Sequence, residues 1–74
     1  MTGYVVVFEG DERSGYSAYS PDVPGVVAAA DTREETEELM RQAMSEHIAI
    51  LQQTGQPVPE AAAAAVTILA IPAA

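Results

Sequence analysis

Thr32 and Gly55 fence off a single helix, and that fence decides what the rest of the chain can be. Thr32-Arg-Glu-Glu35 has the spacing of a capping box: the Thr hydroxyl takes the Glu35 amide, and the Glu35 carboxylate reaches back to the Thr32 amide. Glu34, Glu35, Glu37 and Glu38 then crowd the positive end of the helix dipole, where negative charge is favourable. Apolar or small residues recur at Leu39, Met40, Ala43, Met44, Ile48 and Leu51, the spacing of one buried stripe. Gly55 suits the position just past a helix end, and Pro57 and Pro59 prevent continuation. A chain of 74 residues holds one domain, taken as 1–74. The remaining segments must therefore supply strands for that helix to cover.

Tyr4 to Glu9 (YVVVFE) is a β-branched and aromatic run that reads as a strand entering a turn. Tyr16 to Ser20 is a second short strand, and Gly10 and Gly15 give the backbone freedom for a hairpin between them. Pro21 and Pro24 forbid regular structure across their segment, and Gly25 completes a turn. Val26 to Ala30 follows as a third strand. Residues 60–65 (EAAAAA) suit either helix or linker. Val66 to Ile71, β-branched and bounded by Pro72, predicts the last strand.

The expected fold is therefore α+β in two layers, β-β-β-α-β. A right-handed crossover sets a four-stranded mixed sheet in the order 3-2-1-4, with the helix on one face. The first strand is apolar on both sides, with Tyr4, Val6 and Phe8 on one and Val5 and Val7 on the other. The last strand repeats this with Val66 and Ile68 against Leu69 and Ile71. Strands of that kind expect cover on both faces, which one helix cannot supply. A homodimer or larger homo-oligomer is the predicted solution. Size argues the same way. Without cysteine there is no disulfide or thiolate staple. Burial at ~25 cal/mol per Å² barely exceeds an ordering cost of ~1.5 kcal/mol per residue in so short a chain.

Eleven acids face three arginines and no lysine, for a formal charge of −8. Nucleic-acid binding needs basic residues to displace counterions, so direct contact with DNA or RNA is not expected. An acidic body suits a basic partner. No run approaches the about 20 apolar residues of a membrane span, and no signal peptide is evident, which places the chain in the cytoplasm.

Catalytic chemistry finds little support. Glu34, Glu35, Glu37 and Glu38 are accounted for by capping and solvation, and Asp11 and Glu12 by a hairpin turn. His47 is the single histidine, lies on or beside the buried helix face, and has no second ligand for zinc. Gly10 and Gly15 are too far from a helix start to form a phosphate loop. The tyrosines at 4, 16 and 19 read as strand packing, since no basic residues flank them. No enzyme, cofactor or metal is expected.

The order of these segments, "GYSAYSPDVPGVVAAADTREE", then "HIAILQQTGQPVPE", then a terminal strand, resembles the HicB family of antitoxins of type II toxin–antitoxin systems. Tyr16, Pro21, Asp22, Pro24, Gly25, Asp31, Thr32, Glu35, Gly55, Pro57 and Pro59 match that family's pattern. Val26 stands where relatives often have Cys, Ala30 where they have Gly, and Thr36 where they have Ala. Many relatives also carry a C-terminal helix-turn-helix or ribbon-helix-helix; this chain reads as the stand-alone form, without a DNA-binding domain. The resemblance implies a partial RNase H fold without its carboxylates, since YVVVFE offers only Glu9, at its end. It further implies a binding protein that neutralises a small, basic, mRNA-cleaving HicA-type toxin by covering its active surface. Asp22, Glu34, Glu35, Glu37 and Glu38 are the candidate partner contacts. The alternative is an orphan oligomeric scaffold module without a toxin, and a metal-dependent nuclease is the third reading.

Overall fold

A computed structural model describes residues 3–73. Three strands, β1 (Val7–Asp11), β2 (Gly15–Tyr19) and β3 (Val27–Ala30), are followed by one helix, α1 (Arg33–Gln53). The sheet is antiparallel throughout, in the order β1-β2-β3. Its hairpin rests on two glycines with positive φ, Gly10 at 111° and Gly15 at 81°. A Cβ on Gly10 would also run into the Gly15 carbonyl oxygen. Between them, Asp11 Oδ1 accepts from the Arg13 and Ser14 amides at 2.9 and 2.8 Å and from the Ser14 hydroxyl at 3.0 Å, closing the turn.

Register sorts the side chains by face. Phe8, Ala18 and Ala28 stand in one row across the three strands, and Val7, Tyr19 and Val27 in the next. The first row joins the core of Ala18, Val23, Val26, Met40 and Met44 beneath the helix. The second row lies on the uncovered face, where Tyr19 and Val27 are exposed. Small side chains at Ala18 and Ala28 let α1 approach β2 and β3 closely, and the helix packs on those two strands. Among the described residues no helix is long and apolar enough to cross a membrane.

Both helix ends form as the sequence predicts, with one change of partner. The Glu35 amide donates to Thr32 Oγ1 at 3.1 Å, but the Glu35 carboxylate takes the Thr32 hydroxyl at 3.0 Å rather than the amide. At the far end Gly55, at φ 71°, lets its amide reach the Gln52 carbonyl and the Gln56 amide reach that of Leu51. This pair of bonds is a Schellman closure. Met40 and Met44 are the buried points of the stripe; Leu39, expected within it, is exposed instead.

Three expectations need correction. The first strand begins at Val7 and not at Tyr4, because β2 ends at Tyr19 and gives residues 4–6 no ladder partner. Val26 is buried in the core but precedes β3, coming straight out of the Pro24-Gly25 turn. The expected fourth strand, and with it the order 3-2-1-4, is not formed: residues 56–73 carry neither helix nor strand, and 60–65 are linker. Val66, Ile68, Leu69 and Ile71 are 69–96 % exposed. A strand needs a neighbour to satisfy its backbone groups, and this segment lies against none.

Candidate functional site

The turn after β2 is built around Asp22. Ser20, buried at the strand's end, accepts the Asp22 and Val23 amides on its Oγ at 3.2 Å each, which bends the chain and drives Val23 into the core. That bend aims the half-buried Asp22 carboxylate at two distant segments. The Val5 amide donates to Oδ2 at 2.9 Å, and the Ala62 amide donates to Oδ1 at 3.2 Å. The Val5 amide foremost, with those of Ala62 and Ala63, holds the Asp22 carboxyl below its ordinary value, while partial burial opposes the shift. Close by, the Tyr4 hydroxyl donates to the Pro59 carbonyl at 2.6 Å. Asp22, Tyr4 and Pro59 therefore tie the start of the chain to the segment that leaves the helix.

The acidic first turns of α1 form a second feature. Glu34, Glu35, Glu37 and Glu38 are all exposed, and Glu35 is engaged in the cap. Arg33 reaches Glu37 at 3.7 Å, while Arg41 reaches Glu37 and Glu38 at 3.5 Å each. Such exposed pairs contribute about 0–1 kcal/mol each and exchange partners easily. The Arg33 guanidinium also lies over the Phe8 ring, 4.6 Å from its centroid.

The structure does not gather the candidate acids into one cluster. Asp22 is bonded at Val5, whereas the helix start is placed beside Phe8, about 10 Å further along an extended chain. No group of three or more His, Cys, Asp or Glu among the described residues is placed to hold a metal ion. The remaining motif residues build the frame. Tyr16 is half-buried opposite Gly10 and Ala30; Pro21, Pro24 and Gly25 shape the turn; Asp31 precedes the cap; Pro57 follows the Schellman closure.

Sequence reasoning missed one concavity. Tyr4, Val6 and Phe8 line one side and Met40, Met44 and Ile48 the other of a groove of about 700 Å³ beside the start of β1. Glu37, Arg41 and Gln52 also line it. Its signal was present as two periodicities, alternate residues on the first segment and every fourth on the helix, though nothing in the sequence states that they leave a gap. His47 is half-buried and is not among the residues lining the groove.

No curated protein and no solved structure matches the chain. A family model does: the HicB-like antitoxin of bacterial toxin–antitoxin systems matches residues 4–71. The matched span runs from Tyr4 of the Pro59 tie to Ile71 at the end of the exposed apolar segment, taking in strands, turn, capped helix and tail. By that match the chain belongs to the HicB-like antitoxins of bacterial toxin–antitoxin systems.

Proposed function

We propose that this antitoxin neutralises a small, basic HicA-type toxin by lying over its RNA-cleaving surface, without catalysis of its own. The family match supports a toxin partner, and the observation that carries the reading further is the exposed acidic start of α1. Glu34, Glu37 and Glu38 stand in solvent on a body of formal charge −8. Their loose pairs with Arg33 and Arg41 can be traded for a partner's cations at little cost. Opposite charge on the two proteins steers their encounter and fixes orientation. Asp22 stands apart from this surface, with its oxygens accepting from the chain's own Val5 and Ala62 amides. Direct nucleic-acid contact is not part of the proposal, because three arginines against eleven acids leave little positive charge to displace counterions.

Co-expression with a neighbouring toxin gene tests the proposal. Relief of growth arrest is expected, with association of the purified pair slowing steeply as salt rises. Replacing Glu34, Glu37 and Glu38 by glutamine, with Glu35 left in its cap, should slow association at least tenfold at low salt. Persistent arrest, or an on-rate indifferent to salt, would refute it.

A further inference from the structure

The groove beside β1 and the tail at Val66–Ile71 are each unfinished, and each has what the other lacks. The groove has one apolar wall from Tyr4, Val6 and Phe8, on the segment that runs into the edge strand β1, and another from Met40, Met44 and Ile48. Residues 4–6 extend that edge without any strand partner. The tail brings Val66, Ile68, Leu69 and Ile71, all exposed, and no charge anywhere from Ala61 to Ala73.

The chain does not bring its own tail to its own groove. Leaving the helix, it is held at Pro59 by Tyr4 and at Ala62 by Asp22, which follows β2. Ala62 is thus held at the turn that follows β2, and beyond it Val66, Ile68, Leu69 and Ile71 are exposed. The radius of gyration is 14.2 Å, against about 11 Å for a compact chain of this length, and the longest extent is 48 Å.

We propose that Val66–Ile71 of a second copy fills the groove, pairing along the free edge of β1 while this chain's tail does the same in return. The pair is a twofold strand exchange, in which one patch meets its own counterpart and the interface closes. Charge selects the occupant. Two bodies of −8 repel wherever their acidic surfaces meet, and the tail is the stretch that can enter another copy without adding a charge. A strand there gives ladder partners to the tail and to residues 4–6, of which the Val5 amide alone is already taken, by Asp22. It occupies the fourth position of a 3-2-1-4 sheet, supplied from outside.

The test needs only the pure chain, so its failure leaves the toxin reading standing, and the converse holds. Light scattering after size exclusion should give twice the chain mass. Ile68→Asp with Leu69→Asp should return it to one chain mass, with helical circular dichroism kept because both side chains are exposed in the single chain. The chain has no cysteine, so Val6→Cys and Leu69→Cys variants can be mixed, refolded together and treated with a short flexible bis-maleimide. A covalent dimer carrying one of each supports exchange. A single chain mass for the parent protein, a dimer that survives the two aspartates, or a dimer without that cross-link overturns it.

Discussion

Tyr4–Phe8 and Val66–Ile71 are near twins in composition and opposite in fate. Each is a short, uncharged run of β-branched, aromatic and aliphatic residues. The first is half-buried throughout, tied by its Val5 amide and Tyr4 hydroxyl, with Phe8 in the row beneath the helix. The second carries the most exposed large apolar side chain of the described residues, Ile68 at 96 %. What separates them is the availability of partners. The hairpin glycines deliver β2 to the first run within a few residues, whereas the second must find an edge from the far side of a helix. Strand propensity states what a segment tolerates; a neighbour in register decides what it becomes.

The comparison breaks first at Phe8. A fully buried Phe→Ala change costs about 3–5 kcal/mol, and a half-buried ring beneath Arg33 should lose about 2 kcal/mol. Urea unfolding of Phe8→Ala measures this as a lower midpoint at unchanged slope. A loss under about 0.5 kcal/mol would mean that the first run is no better packed than the tail.

Tyr4→Phe asks how firmly the two runs are joined at their roots. It removes the 2.6 Å bond to the Pro59 carbonyl while keeping the ring, for an expected loss of about 1 kcal/mol. Amide exchange at Gln56 and Ala62, the bonded amides on either side of Pro59, should speed up, while exchange inside α1 stays as it was. Equal acceleration in both regions would show that the tie supports the whole fold and not the tail's root alone.

Much of this was legible beforehand, for reasons of distance along the chain. Thr32, Glu35 and Gly55 act on residues two to four positions away, so the helix ends could be read from spacing, down to a misassigned partner for the Glu35 carboxylate. The hairpin glycines were equally local. The frame of the first strand was not, because pairing with β2, and not composition, sets where the ladder begins. Asp22 stood out in the sequence as a motif residue, yet its partners lie 17 and 40 positions away. No local rule points to Ala62. The groove escaped for a related reason: its two walls, at residues 4–8 and 40–48, lie far apart along the chain.

Asp22 offers a subtler probe, in pH. Its folded carboxyl titrates below the ordinary value of 3.8, so the tie it makes is fully present above that value and is lost as pH falls through the lower, folded one. The Val5 and Ala62 amide resonances should therefore shift together, with one midpoint below 3.8. Asp22→Asn should abolish that titration and leave untouched the separate one at Arg13 and Ser14, which reports Asp11. Independent midpoints at Val5 and Ala62 would mean that one carboxylate does not hold both segments.

The smallest expected effect is the most discriminating. At Ile68, already open to water within one chain, Ile68→Ala should change the stability of dilute protein by less than about 0.5 kcal/mol. Raising the protein concentration should separate the two. Association that involves the folded state alone raises the unfolding temperature by mass action, so the parent chain should climb with concentration and the variant should climb less. If both climb in parallel, copies associate through some other surface, and the uncovered row of Val7, Tyr19 and Val27 is next to test. If neither climbs, the tail stays in water. If only the parent climbs, the twin runs share one fate after all: Val66–Ile71 finds its neighbour on another copy, as Tyr4–Phe8 finds helix, turn and hairpin on its own.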